Sequence, residues 1–144
     1  MSHRAEQIMV ALLANITGLT TTGTNAQRGR VYALSTAPGL TLAMGADEVA
    51  DDLRSFTRLV RHLSVEITAH VKTTSQLETD INQIKTEIFA ALMADITQGL
   101  NFVIQTDLEI DEAPELDAEQ DQPTARATMQ WRVTYAHSGT STET

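Results

Sequence analysis

The residues most able to do chemistry are four histidines, His3, His62, His70 and His137, and a carboxylate-rich run from 107 to 121. His62 and His70 lie eight residues apart on one extended segment. Even spacing puts both on the same strand face, but separates them by roughly 27 Å, too far to share one metal. The carboxylate run holds Asp107, Glu109, Asp111, Glu112, Glu115, Asp117, Glu119 and Asp121 with no basic residue among them. Asp107, Glu109 and Asp111 match the opening spacing of an EF-hand calcium loop, but its sixth position, a glycine in that loop, is Glu112 here. With no cysteine, thiolate metal sites, disulfides and cysteine nucleophiles are excluded. The phosphate-loop, dinucleotide, zinc-protease and serine-hydrolase signatures are absent too. No catalytic residue, metal ligand or cofactor is therefore expected.

Charge is more informative. The net charge of −9 is carried by the second half. Residues 1–72 have seven basic and six acidic side chains, whereas 73–144 have three basic and thirteen acidic ones. Such a balance disfavours phosphate binding, which needs clustered Lys and Arg. Arg54, Arg58 and Arg61 form the densest basic group, too small for a nucleic-acid footprint and equally suited to ion pairs with a protein partner. The candidate partner interface comprises these three arginines with Asp111, Glu112, Glu115, Asp117, Arg126 and Arg132.

The elements that must position these residues follow from periodicity. Ala5, Ile8, Met9, Leu12, Leu13 and Ile16 recur at helical spacing, with Ser2 as N-cap and Gly18 as stop. A threonine-rich turn precedes strands expected at 28–34 and 40–44, and 45–53 is read as a loop or short helical turn. Leu63, Val65, Ile67, Ala69 and Val71 alternate with polar residues in a half-buried strand that could begin near Phe56 or Leu59. A long helix is expected over 76–98, with Leu77, Ile81, Ile84, Ile88, Leu92 and Asp95 on one stripe and Gly99 as stop. A strand at 100–110 should present Phe102, Ile104, Leu108 and Ile110 on one face. Proline and self-repulsion make the rest of the acidic run an extended or disordered loop, placed at about 111–123. In the last strand Ala125, Ala127, Met129, Trp131, Val133 and Tyr135 alternate with Arg126, Thr128, Gln130, Arg132 and Thr134.

This order predicts a single α+β domain over 1–137: a mostly antiparallel sheet with two helices packed on one face. Residues 138–144 read as a disordered C-terminal tail. The polar faces of the two alternating strands would coat the other side of the sheet. That side is either a face in water or a wet subunit interface or ring lumen. No apolar stretch approaches 18 residues, so no membrane helix is expected, and the first residues do not read as a leader peptide.

The same order resembles the tail terminator family of long-tailed bacteriophages. The resemblance runs from the Arg4-Ala5-Glu6-Gln7-Ile8 opening through Thr20-Thr21-Thr22-Gly23, Gln27-Arg28-Gly29-Arg30-Val31-Tyr32 and Ala37-Pro38-Gly39-Leu40. It continues through the 63–71 strand and following helix, and closes on Trp131-Arg132-Val133-Thr134-Tyr135. It spans about residues 3–137; the 111–123 loop is a departure. The resemblance implies a virion protein of the tail and neck region, assembled in the host cytoplasm, without enzymatic activity or cofactor. It implies a homo-oligomer, a hexameric ring, that sits on the tail tube protein, stops tube growth and receives a head-completion or neck protein. DNA would pass through the ring lumen without specific binding. Another neck or head–tail connector protein is the alternative within the same biology. Outside it stand a small carboxylate-dependent metalloenzyme, which chelation would inactivate, and a nucleic-acid module, whose binding would be salt-sensitive.

Overall fold

A computed structural model describes residues 3–29, 38–50, 58–72, 77–117 and 124–142. The elements are α1 (Arg4–Ile16), β1 (Ala26–Arg28), β2 (Gly39–Val49), β3 (Arg58–Lys72), α2 (Leu77–Met93), β4 (Val103–Asp111), β5 (Glu115–Asp117) and β6 (Thr124–Ser138). They form one α+β unit. Its six-stranded sheet has the order β1-β2-β3-β6-β4, and β5 extends the β4 side by pairing with β6. Among the described residues only β1 and β2 pair in parallel; the other pairings are antiparallel.

The two strictly alternating strands lie at the centre. β3 and β6 pair without a break from Arg58 opposite Ser138 to Lys72 opposite Thr124. Their apolar sets, Leu63 to Val71 and Ala125 to Tyr135, therefore fall on one face. Both helices cover that face. Ile8, Met9, Leu12 and Ile16 of α1 and Ile81, Ile84, Ile88 and Leu92 of α2 join Trp131, Met129 and Ile67 in one core. Each fully buried Leu or Ile there contributes roughly 1.5–3 kcal/mol relative to exposure. The connection from β3 through α2 to β4 leaves a gap between the two strands, which β6 fills.

Local chemistry sets the ends of the elements. His3 caps α1, its Nδ1 accepting from the Ala5 amide at 3.0 Å; the expected cap, Ser2, lies outside the described residues. Gly18 follows the helix at φ +92°, a conformation that other residues adopt at a cost. α2 stops at Met93, short of the expected 98. Asp95, placed on the apolar stripe by spacing, is exposed, and its carboxylate accepts from the Thr97 amide and hydroxyl and the Gly99 amide. A side chain that satisfies the backbone this way competes with further helix.

Further expectations are corrected or narrowed. Residues 45–49, read as loop or helical turn, continue β2, with a register shift between Met44 and Asp47. Gly45 makes the passage possible, since a Cβ there would stand 3.3 Å from both the Cβ and the carbonyl oxygen of Ser64. The acidic run is strand over 107–111 and 115–117, so the extended alternative holds for those residues; 118–123 lie outside the described residues. Within β4 the expected single apolar face is broken by irregularities at Val103/Gln105 and Leu108/Ile110. Val103 and Thr106 are buried while Ile104 and Ile110 are exposed. Residues 138–142 of the expected disordered tail form a turn closed by a Ser138–Ser141 bridge, with the Thr142 carbonyl accepting from the Arg4 amide. Of the strand expected at 28–34, Arg28 ends β1, which lies earlier at Ala26–Arg28, and Gly29 is outside any strand; residues 30–37 are outside the described set.

Candidate functional site

Among the described residues no helix covers the second face of the sheet. Its surface is built from the polar positions of β3 and β6, flanked by Thr41 of β2 and the outward residues of β4 and β5. Side chains link across the strands at nearly every step. The Thr41 hydroxyl meets His70 Nε2 at 3.0 Å, Thr68 meets Thr128 at 3.3 Å, and His62 Nδ1 meets the Thr134 hydroxyl at 2.9 Å. Arg126 donates from Nε to Glu115 at 3.0 Å, with its other guanidinium nitrogen at 2.9 Å from the same oxygen. Gln130 donates to Glu112 at 3.1 Å, and Arg132 lies 4.0 Å from Asp107. Such cross-strand pairs each stabilise the sheet by a few tenths of a kcal/mol, roughly 0.2–1. Burial against the sheet, with the Arg126 charge close by, holds His70 below its ordinary value of 6.5.

The expected interface residues divide in this frame. Glu112, Glu115, Arg126 and Arg132 come together on the open face. Asp117 sits on β5 opposite Thr124. Asp111 falls on the helix side, opposite Met129 in register, and Lys85 of α2 pairs with it. Arg58 is exposed at the start of β3. Arg61, three residues on, points to the other face, while Arg54 lies outside the described residues.

Arg61 enters a network that spacing did not reveal. Its Nε donates to His137 Nε2 at 2.8 Å, and its guanidinium lies 3.7 Å from the Asp47 carboxylate. Asp47 accepts from the Tyr135 hydroxyl at 2.7 Å. His137 then donates from Nδ1 to the carbonyls of Ser138 and Ser141, at 2.6 and 3.2 Å. Because Nε2 faces an N–H donor, the ring here is neutral with its proton on Nδ1. Burial, the hydrogen bond to Asp47 and that carboxylate's charge hold the Tyr135 phenol well above the usual range; the Arg61 charge opposes them only partly. The phenol thus acts as a fixed donor. This cluster binds β2, β3, β6 and the C-terminal turn together on the helix side of the sheet. Its register depends on the β2 irregularity, which the sequence does not mark.

Large apolar side chains are exposed at two margins. Along β4 and α2 these are Phe89, Ile96, Ile104 and Ile110; at the far end of β2 they are Met44 and Val49. Among the described residues no three His, Asp or Glu side chains gather as a metal site, and no helix is long and apolar enough to cross a membrane.

No protein-family model matches the chain, and no curated protein does. Among solved structures it is similar to a chain from the "Virion of native gene transfer agent (GTA) particle", at 12% identity and a TM-score of 0.45. The match covers 91% of this chain and 87% of that one. A likeness of that degree carries no functional argument.

Proposed function

We propose that this chain is a structural subunit of a phage-like virion, a tail terminator that caps the head-proximal end of the tail tube, stops its polymerisation and offers a surface for head–tail joining. The observation that carries the reading is the one-sided sheet. Two helices bury one face, while the other is a broad, polar, cross-linked surface whose charges sit in opposed pairs. A rigid polar face of this kind suits a wet subunit contact or the wall of a lumen, since such contacts gain specificity from charge register more than from apolar area. The family resemblance, which follows the order of elements over most of the chain, supports reading that general fit as a terminator's.

Under this reading the subunits form a homo-oligomeric ring, hexameric in the family it resembles. The ring contacts the tail tube protein on one side and a neck protein on the other, and DNA passes through without specific binding. The protein does this by surface complementarity and needs neither enzymatic activity nor a cofactor. Light scattering on the purified chain, alone and mixed with the tail tube protein of the same virion, tests it. A six-subunit ring, formed alone or on the tube end, is expected. A chain that ignores the tube protein but binds the portal-side ring is instead another neck connector. A chain that binds neither is not an assembly protein of this kind.

A further inference from the structure

The open sheet face is polar over most of its area, and one residue breaks the pattern. Of the exposed large apolar side chains, Ile110 is the one that register places on this face, opposite Gln130, and it is 49% exposed. A lone isoleucine in water needs no explanation. This one is ringed by carboxylates. Glu66 stands across β6 from it, opposite the same Gln130. Asp107 faces Arg132 at the next outward position of β6, and Glu112 accepts from Gln130 at 3.1 Å. Glu109 is exposed in the irregularity between Leu108 and Ile110.

Few cations are at hand to balance that ring. Residues 73–144 contain three, and each already faces a carboxylate. Lys85 pairs with Asp111 on the helix side, Arg126 with Glu115, and Arg132 lies 4.0 Å from Asp107. Residues 118–123 add Glu119 and Asp121 and no basic residue. Arg58 starts β3 opposite Ser138, eight positions along β6 from Gln130 and so roughly 27 Å away. Around Ile110 the face therefore carries more negative than positive charge. We infer that this patch docks a partner protein through a basic segment, one that sets an apolar side chain on Ile110 and lysine or arginine side chains against Glu109 and Glu112. An apolar centre with a polar rim is the usual anatomy of a protein contact, and opposite charge across the rim speeds encounter and selects the partner. The same surplus works against nucleic acid and against a second copy meeting this face with its own, since both bring like charge. The inference rests on the reading of the open face as a contact surface and gives the chemistry of what it contacts.

The test is fluorescence anisotropy of the full chain with a labelled peptide that holds one leucine between two pairs of lysines. Two control peptides carry glutamates for the lysines, or a serine for the leucine. The lysine peptide is expected to bind, the glutamate control not at all, and the serine control about tenfold more weakly. Ile110→Ser should abolish the difference between the lysine peptide and its serine control. Glu109→Gln with Glu112→Gln should weaken the lysine peptide about fivefold or more. Glu48→Gln with Glu78→Gln removes the same charge at two other exposed positions and should leave binding unchanged. Urea midpoints that overlay that of the unaltered chain confirm folding, and the glutamine pairs stand as the test should Ile110→Ser unfold. The inference is overturned by a lysine peptide that does not bind, or by leucine and serine peptides that bind the unaltered chain equally. Equal losses in the two glutamine pairs also overturn it, because they mark attraction to net charge alone. The terminator reading is judged separately on the tube protein. Tube binding with a failed peptide overturns the patch and leaves the terminator standing, while peptide binding by a chain that ignores tube and neck proteins does the reverse.

Discussion

At the scale of single residues, the charged groups fall into those that hold the fold and those that its stability hardly needs. His70 belongs to the first set. Burial and the nearby Arg126 lower its value from 6.5, so the folded chain binds fewer protons than the unfolded one just below that pH. Stability therefore rises with pH in that window: the contribution of neutral His70 is complete above 6.5 and is lost as pH falls toward the lowered folded value. Urea midpoints compared at pH 7.5 and 5 should show a loss in the unaltered chain that His70→Gln reduces; equal losses in both would remove His70 from the account. Tyr135 gives a second case. Its hydroxyl is the donor to one Asp47 oxygen, and the other Asp47 oxygen is buried without a partner. Tyr135→Phe strips the carboxylate of its donor and should cost about 1–3 kcal/mol in urea unfolding. A neutral outcome would mean that water replaces the phenol. Neither network was visible in spacing, because Asp47, Arg61, Tyr135 and His137 come from three strands whose meeting depends on one irregularity in β2.

At the scale of elements, α2 shows how periodicity becomes packing. Ile88 is fully buried and Phe89, beside it, is about half exposed. Ile88→Ala should cost about 2–5 kcal/mol, the usual range for emptying a core position. The end of the helix depends on Gln98, a buried residue held at φ +53°. Its side chain donates to the Leu92 carbonyl and the Thr106 hydroxyl and accepts from Asn15, tying α1, α2 and β4 together. Gln98→Ala keeps the strained backbone and removes these three hydrogen bonds, leaving the Thr106 hydroxyl its bond to the Ile96 carbonyl, so a loss of about 1–3 kcal/mol is expected in thermal or urea unfolding. A value near zero would show that the backbone turn, not the amide, joins these elements. What was legible at this scale was whatever repeats: the helical stripes of α1 and α2 and the strict alternation of β3 and β6. What was hidden was whatever breaks a repeat. Even-numbered Ile104, Leu108 and Ile110 read as one face of β4, yet the irregularities turn Ile104 and Ile110 outward. Acidic residues 45–53 read as a loop or short helical turn and 111–123 as an extended or disordered loop; strands disfavour Asp and Glu, a preference that is overridden at the described strand positions 45–49 and 115–117.

At the scale of the whole molecule, the open sheet face sets a distinctive expectation for its arginines. Arg126 and Glu115 are more than 60% exposed, and Arg132 is 40% exposed with Asp107 at 4.0 Å. Pairs so wetted are worth little to a folded chain, about 0–1 kcal/mol. If the face is a subunit or partner contact, those same charges set its register and its rate of formation. Substitution should therefore separate two quantities that core residues move together. Arg126→Ala and Arg132→Ala are expected to shift the urea midpoint by less than about 1 kcal/mol. They are also expected to weaken ring formation or tube binding several-fold, and to flatten its dependence on salt. Arg132 is the sharper probe, since its guanidinium is 40% exposed and stands 4.0 Å from Asp107, too far for a firm pair within the chain. Light scattering in a salt series, on variants whose unfolding curves overlay that of the unaltered chain, measures both terms. Unchanged assembly at every salt concentration would return the face to solvent.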